Sequence, residues 1–132
     1  MKISRSTGYG LVAVGYIAQH CKDGPVLASN VAKAYGIPLE YLLKILQQLV
    51  RADVLRSKRG PRGGFNMARP TEKVTLLQII EAVDGPMVSH LHLAEQTKNA
   101  PFSIRMERVC ENANKQGRAV FDSANLAKIL KG

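Results

Sequence analysis

The sequence has little cysteine and no long apolar segment. Its 132 residues include 2 cysteines, Cys21 and Cys110, which are too few for a disulfide scaffold and lack the C-x-x-C spacing of a zinc site. No run of about 18 apolar residues occurs, so we expect no membrane span. We find no G-x-S-x-G elbow, P-loop, H-E-x-x-H or G-x-G-x-x-G fingerprint, and therefore expect no enzyme.

Acidic residues are also scarce. Asp and Glu number 10 against 19 Lys and Arg, which gives a formal net charge of +9. This excess favours a polyanionic partner, either nucleic acid or an anionic membrane surface. Apolar residues make up 45% of the chain and charged residues 22%, which predicts one folded domain rather than disorder.

The first helical segment resembles a signal peptide only superficially. Lys2 and Arg5 precede an uncharged stretch, but Gly8 and Gly10 interrupt it and no A-x-A cleavage pattern follows. Together with the low cysteine content, this predicts a cytoplasmic protein.

Apolar spacing and turn residues predict a mainly α-helical chain. The expected helices cover about 4–21, 28–35, 38–52, 75–84 and 103–122, with a short terminal helix capped by Ser123. Thr75 and Gln78 form a capping box at the start of the fourth helix. In the third helix, Pro38 suits the first turn, and the predicted apolar stripe is Leu39, Leu42, Leu43, Leu46, Leu49 and Val50.

The order of elements predicts a winged helix-turn-helix. A short helix, a turn at Gly36 and a third helix form the helix-turn-helix, at about 28–51. Two strand candidates, 54–57 and 65–68, flank a turn rich in Gly and Pro and form a hairpin wing at about 54–68. We assign 1–86 to this domain, 87–102 to an irregular connector, and 103–132 to the long helix and the terminal helix.

The outer face of the third helix is polar and comprises Glu40, Tyr41, Lys44, Gln47, Gln48 and Arg51. Tyr41, Lys44 and Gln48 follow one another at helical spacing and project to one side. Lys and Gln read guanine and adenine edges in the major groove, and Tyr contacts phosphate or a thymine methyl. We therefore predict base contacts from these three residues and from Glu40.

The basic charge is concentrated in and beside the hairpin. Six basic residues and one acid lie between Arg51 and Pro70, so +5 of the net charge falls within twenty residues. Arg59 and Arg62 at the turn can enter a minor groove, and the glycines allow close approach to a sugar-phosphate backbone. The predicted wing contacts are Ser57, Lys58, Arg59, Gly60, Arg62, Gly63 and Gly64. This position beside a helix-turn-helix favours duplex DNA over a membrane surface.

Several passages resemble the Rrf2 family of bacterial transcriptional regulators. They are Met1–Ser4 with Tyr9–Leu11, the turn at 36–42 that contains Pro38, the wing at 57–65, Ala68–Pro70, and Val74–Pro86. The resemblance implies a homodimeric winged-helix DNA-binding protein whose long helix supplies the dimer contact. We expect a repressor that reads a palindromic operator, and include Pro38 among its DNA contacts.

The resemblance also raises the question of a cofactor. Many members of the family bind an iron–sulfur cluster through three cysteines in the connector, the last just before a proline. Here 87–101 contains no cysteine, and Ala100 stands before Pro101. Because thiolates are the usual cluster ligands, we expect no cluster of that kind.

Isolated histidine and cysteine residues suggest two further sites, a metal site and a redox-sensing thiol. His90 and His92, with Glu95 nearby, form a candidate metal site, although an H-x-H pair is more typical of exposed loop histidines. Cys21, between His20 and Lys22, is a candidate redox-sensing thiol, although we favour an inert, half-buried cysteine. We interpret Cys110 as a packing residue.

Two alternative functions remain open. The chain is also consistent with a basic RNA- or ribosome-associated module, or with a regulator controlled by a metabolic-enzyme partner.

Overall fold

The computed structural model describes residues 2–89 and 91–132, which form a mainly helical chain with one small sheet. The helices are α1 (Arg5–His20), α2 (Ala28–Tyr35), α3 (Leu39–Arg51), α4 (Leu76–Asp84), α5 (Leu93–Gln96), α6 (Pro101–Ser123) and α7 (Leu126–Lys131), with a 3-10 turn at Thr71–Lys73. The strands are β1 (Leu55–Lys58) and β2 (Gly64–Met67). No helix within the described ranges is long and apolar enough to cross a membrane.

Helices α2 and α3 form the predicted helix-turn-helix. Helix α2 has the predicted bounds, and Gly36 ends it in the left-handed conformation (φ 65°, ψ 35°), with its N–H donating to the Ala32 carbonyl. Pro38 precedes α3 as its N-cap residue, whereas we had expected it within the first turn. The local turn signals therefore set both helix boundaries to within a residue.

The buried face of α3 differs from the predicted stripe. Leu39 and Leu43, which we expected in the stripe, are 42% and 37% exposed, and Ile45, which we did not include, is buried. Only a narrow arc of α3 faces the helices that pack on it, so residues at its edge remain in solvent. The core of this body is formed by Ala13, Val14, Ile17, Val31, Leu42, Ile45, Leu46, Leu49, Val54 and Ile79, among others.

The wing is an antiparallel hairpin whose register pairs Leu55 with Met67 and Lys58 with Gly64. The first strand starts one residue later, and the second one residue earlier, than the sequence predicted. Val26, in the link between α1 and α2, adds a third partner, because its N–H and carbonyl exchange hydrogen bonds of 2.9 and 2.8 Å with Phe65. The hairpin is thus anchored to the helical body.

The C-terminal part departs from prediction in two places. The connector, predicted as irregular, contains helix α5, whose Ala94 N–H donates to the Glu107 carboxylate at 3.2 Å. Ser123 does not cap α7, because it is the last residue of α6 and its hydroxyl donates to the Val120 carbonyl. Asn125 is the cap, and its side chain accepts from the Lys128 N–H.

Helix α7 packs against the core of the N-terminal domain (1–86), although we had grouped it with the long helix in 103–132. Leu126 is 3% exposed within the main core, and its N–H donates to the Val74 carbonyl at 2.8 Å. The Leu76 N–H donates in turn to the Ala124 carbonyl at 3.0 Å. The start of α4 and the end of the chain are therefore held together by main-chain hydrogen bonds.

Candidate nucleic-acid interface

The outer face of α3 borders a groove of about 420 Å³ beside the start of α1. Its lining comprises Ser6, Tyr41, Lys44, Ile45, Gln47, Gln48 and Arg51. Three of the predicted base-reading residues, Tyr41, Lys44 and Gln48, therefore lie together. Pro38 and Glu40 are exposed at the beginning of the helix and do not line this groove.

Tyr41 is held in place by α1. Its hydroxyl forms a hydrogen bond with that of Ser6, and its ring packs edge-to-face against Tyr9 with the ring centroids 5.7 Å apart. Both contacts restrict the rotamer of a side chain that is 40% exposed. Tyr41 is thus oriented before any ligand arrives, which lowers the entropic cost of binding.

Sequence reasoning missed three residues of the groove as binding candidates. Gln47 and Arg51 had been assigned to the polar face of α3 but not to the predicted DNA contacts. Their spacing of three and seven residues from Lys44 indicates that they lie on the same side of the helix. Ser6 comes from α1, and no local pattern relates it to a helix 35 residues later. Its hydroxyl adds a hydrogen-bonding group to the wall opposite α3.

The wing presents its basic side chains to solvent. Ser57, Lys58, Arg59, Gly60 and Arg62 are all exposed, as are Arg51 and Arg56 nearby. Val54 and Leu55 are buried, so the hairpin rests on the core through its base and extends its tip outward. Five of the seven predicted wing contacts therefore share an accessible, positively charged tip that can approach phosphates.

The glycines of the wing are required by its backbone. Gly60 has a φ of 107° and Gly64 a φ of 144°, values that side-chain-bearing residues rarely adopt. A Cβ atom at Gly64 would lie 2.5 Å from the Val26 carbonyl oxygen, and one at Gly63 would overlap the Lys58 carbonyl. Gly63 and Gly64 are partly shielded, so they shape the wing tip and lie less open to a ligand than its basic residues.

Arg69 does not belong to the exposed basic group, although the sequence counted it with the wing. Its Nε donates to the Asp53 carbonyl at 3.0 Å, and one terminal nitrogen donates to Gln78 Oε1 at 3.3 Å. Asp53 itself has a positive φ of 62°. Arg69 therefore stabilises the bend after α3 and links it to α4.

The remaining candidate residues lie apart from this interface. His92 is exposed at the start of α5, with its Nδ1 3.9 Å from a carboxylate oxygen of Glu95, and His90 lies outside the described residues. Cys21 is half-buried at the end of α1, where its Sγ is 4.0 Å from the Ala18 carbonyl. Cys110 is half-buried in α6.

An outward-facing polar helix with a basic hairpin at its end defines a winged helix-turn-helix DNA-binding protein. The chain belongs to the Rrf2 family, because the family described as Iron-dependent Transcriptional regulator matches residues 3–132. This match confirms the family expected from the sequence, and the solved structures described below confirm the fold class.

Individual relatives of the chain are also named as transcriptional regulators. BadM of Rhodopseudomonas palustris, whose name places it among HTH-type transcriptional regulators, is 44% identical over 132 residues, which cover 99% of this chain and 82% of BadM. IscR of Cereibacter sphaeroides, also named as an HTH-type transcriptional regulator, is 38% identical over 86 residues, which cover 64% of this chain and 56% of that protein. These relatives are regulators and not enzymes, in agreement with our prediction.

Solved structures have the same fold. The structure of T. potens IscR superposes with a TM-score of 0.76 at 28% identity and covers 99% of this chain and 87% of its own. CymR, the global cysteine regulator of B. subtilis, superposes with a TM-score of 0.81, covering 99% and 97% of the two chains. At 24% identity, this second likeness establishes the fold alone.

The family description raises iron as a cofactor, and the donor set of this chain does not fit a three-cysteine cluster. Ala100, the position before Pro101, serves as the N-cap of α6 and has no thiol. Cys21 and Cys110 are the two thiols of the chain, and they lie in different helical regions. Within residues 2–89 and 91–132, no three His, Cys, Asp or Glu side chains are grouped as metal ligands.

Proposed function

We propose that the protein is a homodimeric transcriptional repressor that binds a palindromic operator. Each protomer inserts α3 into the major groove and directs its wing to the adjacent minor groove. The observation that carries the proposal is the exposed basic hairpin that directly follows the polar face of α3. We assign repression because a dimer seated on its operator excludes other proteins from the same stretch of DNA.

Base readout is assigned to Tyr41, Lys44 and Gln48, with Glu40 beside them. Lys44 and Gln48 carry the groups that pair with guanine and adenine edges, and Tyr41 is already oriented by α1. Pro38, the exposed N-cap residue, immediately precedes the first turn of α3 and approaches the DNA beside it. These contacts set which operator the protein prefers.

The wing supplies contacts that are less dependent on sequence. Arg59 and Arg62 enter the minor groove, where a narrow width strengthens the negative potential. Lys58 and Ser57 contact the phosphate backbone, and Gly60, Gly63 and Gly64 let the tip turn closely enough to reach it. The wing thus provides much of the salt-dependent affinity.

The dimer proposal rests on the outer face of α6. Phe102, Met106, Val109 and Val120 are 55%, 55%, 69% and 65% exposed, and Ala113 lies on the same stripe. Their spacings of three, four and seven residues are those of a coiled-coil seam. Such a large exposed apolar stripe is costly in water unless a second copy of the chain covers it.

The wing is tested by replacing Arg59 and Arg62 with Ala. We expect the double variant to bind operator DNA about tenfold or more weakly. The slope of log affinity against log salt should fall by about one unit for each phosphate that the variant no longer neutralises. The measurement is a binding titration by fluorescence anisotropy at several salt concentrations.

The matched control replaces Arg108 and Lys115, two exposed basic residues of α6, with Ala. It removes the same charge and should keep both affinity and slope near those of the wild type. Equal reductions in the two double variants would refute the wing assignment, because net charge alone would then explain the binding.

We also propose that the regulator works without a three-cysteine iron–sulfur cluster, because the connector has no thiol to hold one. The anaerobically purified protein should then show no cluster absorbance between about 300 and 500 nm. A visible cluster band would contradict the proposal and would point to Cys21, Cys110 or the histidines as ligands.

A further inference from the structure

Glu81, near the end of α4, joins three parts of the chain. Its carboxylate accepts the Met87 N–H at 2.7 Å, at the start of the connector. The same carboxylate accepts from the guanidinium of Arg118 in α6, at 3.1 Å from one terminal nitrogen and 3.4 Å from Nε. Helix α4, the connector and the long helix therefore meet at one side chain.

A second polar contact tightens the same junction. The Asn114 side chain, one turn before Arg118 on α6, donates to the Met87 carbonyl at 3.1 Å. Met87 is thus held through its N–H by α4 and through its carbonyl by α6. In the part of the chain that the structure describes, Glu81–Arg118 is the one ion pair between a carboxylate and a Lys or Arg side chain.

The pair is charged at neutral pH. Burial alone would raise the pKa of Glu81, but the Met87 N–H and the Arg118 guanidinium outweigh that effect and hold the pKa below its ordinary value. Arg118 is 48% exposed, so the ion pair contributes little to overall stability. Its two-nitrogen geometry instead restricts the direction in which α6 leaves the body.

Small changes in that direction have large effects at the far end of α6. Arg118 lies 17 residues, about 25 Å, from the first residue of α6, so a tilt of about 10° about this junction displaces that end by roughly 4 Å. Successive base pairs are separated by about 3.4 Å. A modest reorientation of α6 would therefore change the separation of two paired protomers by more than one base-pair step.

We propose that Glu81 and Arg118 are positioning residues that set the preferred spacing between operator half-sites by fixing α6 relative to the DNA-reading body. The inference rests on the homodimeric function proposed above. Neither residue lies on the predicted DNA contact surface, so their effect on binding is transmitted through the geometry of the dimer.

The test is a spacer series. An operator selected by the wild-type protein from random duplexes is rebuilt with one or two base pairs inserted or removed between its half-sites. The wild type should bind the selected spacing best. For Arg118→Ala we expect the ratio of affinities between the selected and the shifted spacings to fall by about threefold to thirtyfold. Arg118→Lys, which keeps the charge, should restore part of the ratio.

Arg108→Ala is the matched control, because it removes the same side chain from an exposed position of α6 outside the junction. It should keep the wild-type ratio. Glu81→Gln provides a second variant if Arg118→Ala does not fold, since an amide oxygen still accepts the Met87 N–H. It should also lower the ratio.

Two outcomes are distinguishable. If folded Arg118→Ala or Glu81→Gln keeps the wild-type ratio at every spacing, the positioning role is wrong while the proposed function stands. If the wild type itself selects no repeated half-sites, the dimeric operator-binding function fails first, and the positioning role fails with it.

Discussion

At the scale of single residues, the basic side chains in and beside the wing form two groups. Some are exposed to solvent, and others form hydrogen bonds within the protein. Arg59 and Arg62 are exposed at the wing tip, whereas Arg69 donates to the Asp53 carbonyl and to Gln78. The same residue type is therefore exposed for the proposed DNA contact in one place and supports the backbone in the other. Sequence alone could not separate them, because the partners of Arg69 depend on the bend after α3.

The residue-scale prediction concerns Gly64. Replacing it with Ala places a Cβ atom 2.5 Å from the Val26 carbonyl oxygen at a φ of 144°, so we expect the free energy of unfolding to fall by about 1–3 kcal/mol. Chemical denaturation followed by circular dichroism measures it. Gly15→Ala is the control, since Gly15 is helical and an added Cβ would meet no atom within 4 Å apart from its own stretch of helix. It should be neutral or stabilising by up to about 1 kcal/mol. Equal effects would contradict this account of the wing.

At the scale of elements, local signals predicted helix ends better than they predicted contacts. The capping box of Thr75 and Gln78 is present at the start of α4, as expected. The cap of α7 was placed at Ser123 instead of Asn125, although the Asn125 side chain accepts from the Lys128 N–H only three residues on. The other contacts of Asn125, its donation to the Glu72 carbonyl and its backbone pairing with Thr75, depend on residues distant in sequence. The exposure of Leu43 was missed for a similar reason, since its surroundings come from other helices.

The residues of the groove beside α3 were also only partly predictable from local sequence. The polar face of α3, including Lys44 and Gln48, was predictable from helical spacing within one segment. The hydrogen bond between Ser6 and Tyr41 was not, because it depends on how α1 packs across α3. Long-range packing, which no local pattern encodes, decided these cases.

The element-scale prediction concerns the contact between α4 and α1. Asp84, at the end of α4, accepts hydrogen bonds from the Ser4 hydroxyl and from the Ser4 N–H, the latter at 3.2 Å. Burial raises the pKa of Asp84, but the hydrogen bonds from Ser4 and Thr7 lower it more, so the net pKa lies below its ordinary value. A carboxyl group whose pKa is lowered by folding stabilises the folded protein at pH values above its ordinary pKa. This contribution is lost as the pH falls through the folded-state pKa.

Asp84→Asn should therefore lower the Tm most at neutral pH, and the difference from the wild type should shrink as the pH falls below about 4. Thermal unfolding between pH 7 and pH 3 measures this. Asp122→Asn, which removes the same charge from an exposed site on α6, is the control. If both variants showed the same dependence on pH, the Ser4–Asp84 contact would not be its source.

At the scale of the whole molecule, the proposed DNA-binding surface and the exposed apolar stripe lie on different elements. Lys44, Arg51 and the basic residues of the wing are exposed beside one another, whereas the stripe lies on α6, which also carries the exposed residues Arg105, Arg108, Lys115 and Arg118. The sequence predicted the first from its local excess of Lys and Arg. The C-terminal helices are connected to the N-terminal domain in two ways. Main-chain hydrogen bonds join the start of α7 to the start of α4, and the Glu81–Arg118 pair joins α6 to α4.

The stripe gives a prediction for assembly. Val109→Glu places a charge at the most exposed large apolar residue of the stripe, and we expect the protein to shift from dimer to monomer because the charge would be buried in the seam. Sedimentation velocity measures the mass. Lys115→Glu, which adds the same side chain at an exposed site of α6 away from the stripe, should remain dimeric. A dimeric Val109→Glu variant would place the interface elsewhere.

The regulator proposed above reads duplex DNA as a two-fold symmetric dimer. Selection from random duplex sequences with the full chain tests it most directly. We predict enrichment of an inverted repeat whose half-sites are separated, centre to centre, by about 10 base pairs or a multiple of that distance. Absence of any enriched duplex, together with strong binding to RNA, would contradict the claim and favour an RNA-associated module.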